Sequence, residues 1–523
     1  SDTHRTTLPE DELCRSTTMH LTLASFVDYG FPVWLRATHW VNALLMGFML
    51  RSGIQILASY PRLHWGKTAK PGREWLKFTS KKFRRDEYYI TLEEEEEAPV
   101  VLAQPGGSNL GLGRHFHFFS ATLWIANGVV YYVFLFATGE WRRLVPTTWS
   151  IFPNAYEQLA QYLTFHGPLD SAYLGVYDPL QQLSYFGVVF ILAPFQILTA
   201  LAQSPAVEAR FPWYVNFWGG RQAARSLHFI GLMLFLGFIL IHTTFVFLVS
   251  SSPDGLPGLV GNFGLILLGQ DTSHHLAAVL GVLALIVLIF ATYFVTSWLS
   301  RKYPTAAQRT MSVLIHPWMS LLAHKSTSKQ EYKRADISDY FIVNGFPPDS
   351  AEYLGSLWSG FKDYTLEVGG LVENPVSLTL DQLKAMPKQT QITKHNCIQG
   401  WSSIGEWGGV RVTDIMELVK PLPTAKYLAF RSYSKDNAGK EYFECIHMDV
   451  ATHPQTILAY EMNGVPLPLA HGAPLRLRAE VLLGFKMVKW IASIEFVETY
   501  ATLRDGLGGS REENKHYEQA VPI

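Results

Sequence analysis

The chain has 523 residues and a formal net charge of -1. That length allows two or three domains, and a near-neutral balance excludes the basic footprint of a nucleic-acid binder. Aromatic residues reach 14% with 15 tryptophans, a richness expected where aromatic belts mark membrane interfaces.

Residues 1–32 read as a polar tail. The stretch SDTHRTTLPEDELCRST lacks the basic-then-apolar order of a secretory signal and carries no twin-arginine pair. Membrane insertion is therefore expected to rest on the first internal apolar helix. Five apolar stretches follow, at 33–57, 115–137, 183–202, 226–250 and 275–299, each nearly free of charge. A hydrocarbon core takes about 20 helical residues to cross, so the region 33–303 predicts an all-α five-helix transmembrane bundle in a lipid bilayer.

Between the first two helices lies a long polar loop, 58–114, with KKFRRDE and an acidic run at 93–97. The run is expected to be a solvated, mobile tip, with a docking patch for a partner as the alternative. After the fifth helix, residues 304–334 read as a linker, in which MSVLIHPWMSLLAHK has an apolar side and suits an interfacial helix or a packed linker element. From about residue 335 to 510, short alternating apolar runs broken by Pro and Gly predict an α+β domain, and 511–523 a C-terminal tail.

Five crossings put the N-terminus and the C-terminal domain on opposite sides, and the loop 58–114 on the side of the C-terminal domain. That loop holds ten Lys and Arg, against Arg142 and Arg143 in the loops of the other side. The charge count thus favours a cytoplasmic C-terminal domain in the cell membrane.

Histidine is costly inside a bilayer and marks function there. His39 opens the first helix, His115 and His117 the second, and His228 and His242 lie fourteen residues apart on the fourth. Fourteen residues rise about 21 Å through nearly four whole turns, so His228 and His242 face one way at two depths. Chain direction sets His39 level with His242, and His115 or His117 level with His228. Two bis-histidine b-type haems fit these pairs. His115 and His117 stand about 200° apart and cannot share a haem; His117, in phase with Trp124, is the chosen ligand. Arg36 and Arg225 each precede a ligand by three residues, one turn away, where they suit haem propionates or plain interfacial anchoring.

RATHWVNALLMGFMLRSG and GGRQAARSLHFIGLMLFLGFILIH resemble the two-haem cytochrome b subunits of nickel–iron hydrogenases and formate dehydrogenases over roughly residues 30–250. The resemblance implies a quinone or quinol as one electron partner.

In the C-terminal domain, KHNCIQGWSSIGEWGGV takes Cys397 from an apparent strand into a Gly/Trp/Ser turn. No second cysteine stands near, which argues against zinc or iron–sulfur, although one thiolate can bind one soft metal. Cys397 with the following GWS, LAYEMNGVPLPLAHGAPLRLR and GFKMVKWIASIEF resemble the molybdopterin-binding domain of the sulfite oxidase family over roughly 336–505. The bacterial branch with the protein-methionine-sulfoxide reductase catalytic subunit is the nearer likeness. The resemblance implies that Cys397 ligates molybdenum and is the catalytic centre. By the same token Asn344, Ser432, His471, Arg476, Met487, Val488 and Lys489 bind molybdopterin. Arg suits an anionic phosphate as a planar fork, and Lys as a point charge.

Animal sulfite oxidases follow the cysteine with oxyanion-binding arginines, whereas Ile398, Gln399 and Gly400 follow it here. Sulfite is thus not singled out. Lys394, His395 and Arg431 are the nearest basic candidates for substrate contact, Cys14 and Cys445 read as structural, and the further dimerisation domain of those oxidases is not present within this sequence. The expected function is a membrane-bound molybdenum oxidoreductase. It would link oxygen-atom transfer on a small sulfur-containing oxyanion or sulfoxide to the quinone pool through two haems, in either direction. The alternative is a haem conduit for a separate partner protein, with a non-catalytic molybdopterin-like domain; a homo-oligomer suits either. Stand-alone molybdenum subunits of this kind are typically exported, which sets the resemblance against the charge count on sidedness.

Overall fold

The structure is a computed structural model and describes residues 31–84, 87–164, 177–248, 266–267, 275–323 and 329–518. Cys14 and most of the N-terminal tail lie outside the described residues. Five helices are long and apolar enough to cross a membrane: Val33–Ser59, Leu110–Ala137, Pro179–Leu201, Arg221–Phe247 and Val279–Lys302. The third contains a π-helical stretch, Gly187–Leu192. The second starts ahead of its apolar run because its first turn is packed: Leu110 and Leu112 are buried, and Gly111 lies so close to the backbone of Lys515 and His516 that a Cβ would overlap it.

The chain divides into two compact units. The first takes residues 1–41, 127–186 and 243–284. Within it, Trp34 packs on Tyr131 and Phe134, and Asn127 Nδ2 donates to Thr38 O at 3.0 Å. The second takes residues 42–126, 187–242 and 285–523 and holds the whole C-terminal domain.

That domain has two five-stranded sheets. In one, Val465–Pro466, Ile457–Met462, Ser402–Arg411 and Lys388–Asn396 lie side by side, with Arg476–Arg478 also pairing with Ile457–Met462. The other runs Val376–Thr379, Thr365–Gly370, Ile491–Val497, Tyr427–Lys435 and Glu441–His447. Its strands are antiparallel except for the Thr365–Gly370 and Ile491–Val497 pair. Leu366, Val410, Leu428, Phe430, Leu458 and Leu477 join in one core; Ser402–Arg411 and Ile457–Met462 are buried along nearly their whole length, whereas Leu366 and Val368 alternate with more open neighbours.

The acidic run of the loop 58–114 corrects the expectation of a mobile tip. Glu94 is buried and takes both Arg62 and the Tyr89 hydroxyl, Glu93 pairs with Lys81, and Glu95 with Lys515. The loop is instead a platform for the C-terminal domain: Ala69 N donates to Ser402 O at 2.9 Å and Thr91 N to Val343 O at 3.0 Å. Residues 304–323 form a helix with Pro317 inside it. Residues 511–518 likewise do not hang as a tail. Ser510–Lys515 is helical, and Tyr517 packs in a cluster with Cys397, Ile398 and Trp401.

Candidate molybdopterin and haem sites

Cys397 directly follows the strand Lys388–Asn396 and opens a tight turn into Ser402–Arg411. Cys397 N donates to Trp401 O at 3.0 Å, and Gly400 N to Cys397 O at 3.1 Å. Gly400 has φ +106°, and a Cβ there would press to 3.3 Å from Arg225 Nε, so only glycine suits both backbone and neighbour. The thiol is 2% exposed. Burial pushes it up, opposed by hydrogen bonding from the Gln399 backbone and the Asn344 side chain.

Around this turn stand two basic groups, Arg476 buried and Lys489 partly buried. Arg476 is 3% exposed, lies over the Trp407 ring at 4.8 Å, gives Nη1 to His471 O, and leaves Nε without a partner. Lys489 donates Nζ to Asn344 O at 2.5 Å and to Ala470 O at 3.0 Å. Among the described residues no carboxylate pairs with either. Burial, then Arg476 and Arg511, hold Lys489 well below its ordinary range. Burial, then Lys489 and Arg476, lower His471 to about 3. Buried cations without counter-charge are costly; together with the open Arg476 Nε and an unpartnered Asn344 Oδ1, they fit an anionic cofactor held beside the Cys397 thiol.

The other residues named from the sequence fall as follows. Asn344 Nδ2 lies 3.7 Å from Cys397 Sγ. Ser432 Oγ donates to Lys489 O at 2.7 Å, fixing the segment that contains the buried Met487 and Val488. The three basic substrate candidates are committed elsewhere. Lys394 is held by both carboxylate oxygens of Glu208, His395 Nδ1 accepts from Arg478, and Arg431 pairs with Glu441 and Glu495.

In the spanning helices of the second unit, the rings of His117 and His228 lie 6.3 Å apart. That gap accommodates one metal ion bonded at about 2 Å to each ring. Their Nδ1 atoms are occupied, by Ser52 Oγ at 3.1 Å and Gln196 O at 3.2 Å, as an outer shell that orients metal-binding imidazoles requires. Gln196 Nε2 also stands 3.4 Å from His228 Nε2. His115 turns away, its Nδ1 on Gly111 O at 2.8 Å. His242, in the same unit, stacks on Phe238 at 5.5 Å. In the first unit His39 meets Trp40 edge-on, and Arg36 donates to the carbonyls of Phe31 and Leu267. Arg225 gives Nη1 and Nη2 to the carbonyls of Arg62 and Tyr60, which leaves Nε toward Gly400.

Contacts that the sequence did not foretell join the two sites. Arg221 donates to Trp401 O and Ser402 Oγ, and Gln222 Nε2 to Gly400 O at 2.9 Å. Gln399 bridges Thr91 and Ser59 O. GGRQAARSLH carries these donors in plain view, but nothing local in it names a partner 178 positions away.

Such a bundle and such a cysteine turn define a cytochrome b-type membrane domain joined to a molybdopterin-binding oxidoreductase domain, in a multi-pass membrane protein. Residues 30–254 match the family described as Prokaryotic cytochrome b561, and residues 356–503 the family described as Oxidoreductase molybdopterin binding domain. A protein named as a candidate protein-methionine-sulfoxide reductase subunit, YedZ1, of Azospira oryzae is 39% identical over 26% of this chain and 50% of its own length. The protein-methionine-sulfoxide reductase catalytic subunit MsrP of Xanthomonas axonopodis pv. citri is 37% identical over 26% of this chain and 45% of its own. The chain thus spans about half the length of the curated relatives it matches. The solved sulfane dehydrogenase SoxCD of Paracoccus pantotrophus aligns over 29% of this chain and 40% of that one at 23% identity, with a TM-score of 0.25, an overlap too slight to carry an argument.

Proposed function

We propose that this chain is a membrane-bound molybdenum oxidoreductase acting on a small sulfur-containing oxyanion or sulfoxide and exchanging electrons with the quinone pool of the cell membrane. What carries the reading is one juxtaposition. The Cys397 turn accepts a hydrogen bond from Gln222, six residues before His228 on the same helix. The proposed metal ligand and the proposed haem ligand are therefore linked through one turn and one helix.

In this reading Cys397 holds molybdenum while Arg476, Lys489, Asn344 and His471 grip the anionic pterin, with Ser432, Met487 and Val488 shaping its bed. His117 and His228 hold one b-type haem. A second haem at His39 and His242 rests on their spacing in the sequence. When bound, the molybdenum cofactor supplies two-electron oxygen-atom exchange and the haems supply one-electron transfer. The protein's part is to bury the metal ligand, exclude water from it and fix its distance to the haem helix. The names of the methionine-sulfoxide reductase relatives support a sulfoxide substrate over sulfite, in line with Ile398, Gln399 and Gly400 standing where oxyanion-binding arginines would be.

The test is metal and haem analysis of the purified chain, followed by anaerobic haem spectra with sulfoxides, sulfur oxyanions and quinols. Expected are one molybdenum and two haems, quinol-reduced haem reoxidised by a sulfoxide, and loss of that reoxidation in Cys397→Ser with the haem spectrum kept. Haem without molybdenum would favour a conduit for a separate partner and overturn the enzyme reading.

A further inference from the structure

The polar hairpin that follows the first spanning helix is clamped along the fourth, Arg221–Phe247. Its strands Arg62–Leu63 and Leu76–Lys77 pair antiparallel. Between them, Gly66 O accepts from Gln222 N at 3.0 Å and from Ala223 N at 3.1 Å, and a Cβ on Gly220 would stand 2.7 Å from Lys67 Cα. Further along the helix, Trp75 Nε1 donates to Ser226 Oγ at 2.8 Å, and the Phe78 ring lies 5.6 Å from that of Phe229.

Three levels of the spanning helix are marked in this way. Lys67 is fixed at its start, Trp75 at Ser226 and Phe78 at Phe229. At 1.5 Å per residue, Ser226 and Phe229 lie about 7.5 Å and about 12 Å deeper than Arg221. The span has 27 residues, or about 40 Å, close to the whole thickness of a bilayer. Headgroups take roughly 5–7 Å of that on each face. Trp75 therefore stands at the border of headgroups and acyl chains, where tryptophan concentrates, and Phe78 just inside it. Trp65, stacked on Trp75 at 5.6 Å, is exposed, as are Trp75 and Phe78. A patch of large exposed rings marks a contact surface.

The charges follow the same order. Lys67, Arg73 and Lys77 are exposed, the last two standing two residues either side of Trp75. Among the described residues no carboxylate pairs with them: Glu74 turns inward to Arg62, and Glu208 is held by Lys394. Going inward, the chain presents cation, amphipathic ring and apolar ring. A phospholipid presents phosphate, glycerol and acyl chain in that order. A water-soluble partner could not follow the rings past the headgroup layer.

We infer that the hairpin 62–78 binds an anionic phospholipid, with Lys67, Arg73 and Lys77 on its headgroup and Trp75 and Phe78 against its glycerol and acyl chains.

The full chain, purified with its haems into detergent micelles, is titrated with dioleoylphosphatidylglycerol and dioleoylphosphatidylcholine and read by native mass spectrometry. The first phosphatidylglycerol should bind at least about tenfold tighter than phosphatidylcholine. Lys67→Gln, Arg73→Gln and Lys77→Gln should each weaken it about fivefold, the worth of one basic residue at an anionic surface. Lys362→Gln and Lys384→Gln, which remove exposed cations of the C-terminal domain, should leave it unchanged. A photoreactive phosphatidylglycerol should label peptides covering 62–82. Equal binding of the two lipids, parent-like binding by all three hairpin variants, or labelling confined to other peptides would overturn the proposal. So would competition by soluble glycerol 1-phosphate as strong as by the lipid, which would make this a site for free phosphate. The labelling and the parent's preference need no variant, so a misfolded variant leaves the outcome decided.

Discussion

Two sets of buried cations in this molecule behave in opposite ways. In the loop 58–114, Arg62 is fully buried and meets the carboxylates of Glu74 and Glu94. Lys486, under the second sheet, similarly meets Glu444 and Glu512. Beside Cys397, the buried Arg476 and the partly buried Lys489 meet, among the described residues, backbone carbonyls and the rings of Trp407 and Trp490 but no carboxylate. A buried charge matched by carboxylates closes a structure on itself, whereas one left unmatched marks a place for an anion from outside. Pairing therefore separates framework from site here better than burial does.

Three variants press on that contrast. Arg62→Met strands two carboxylates and should cost about 3–5 kcal/mol, the usual penalty for removing one partner of a buried pair. It would be read as a lower thermal midpoint and faster hydrogen exchange across residues 60–95; an unchanged midpoint would erase the contrast. Lys489→Met removes a charge that opposes its own burial. It should cut molybdenum occupancy about 10–100-fold while leaving the cofactor-free protein as stable as before or more so. Loss of stability without loss of molybdenum would place Lys489 with the framework.

The smallest effect concerns His64, which burial, then Arg225 and Arg62, hold down at about 3. Unfolded, it would titrate near 6.5, so below that pH the unfolded chain binds the extra proton. Stability should then fall as pH drops from 6.5 toward 3, by at most about 1.4 kcal/mol per pH unit from this group. Melting of His64→Gln against parent at pH 7 and pH 5.5 reads that slope, and parallel curves would refute it.

How much of this was legible in the sequence depended on the range of each interaction. The spanning helices are written in local composition, and the placing of His117 near His228 followed from helix periodicity and chain direction. Phase alone also set His117, and not His115, toward His228. The setting of Cys397 was readable by likeness to a family, since one cysteine cannot name its metal. What stayed hidden depended on distant partners. Lys394 looked available for substrate until Glu208, 186 positions away, claimed it. In the acidic run at 93–97, Glu93, Glu96 and Glu97 are exposed as expected, whereas the burial of Glu94 and the pairing of Glu95 stayed hidden because Arg62 and Lys515 are far from them in sequence. Tyr517 gave no signal of packing with Cys397, because a short polar helix at the end of a chain has no pattern that predicts a buried face.

The contact of Gly400 with the fourth spanning helix also has a consequence for heredity. At φ +106° a Cβ on Gly400 would be strained and would stand 3.3 Å from Arg225 Nε, and the Gly400 carbonyl is held by Gln222. A substitution in that turn would need an answering change on the helix, and the reverse. The two domains are then not free to vary separately, and exchanging either half for a relative's should fail unless the Gly400 and Gln222–Arg225 positions travel together.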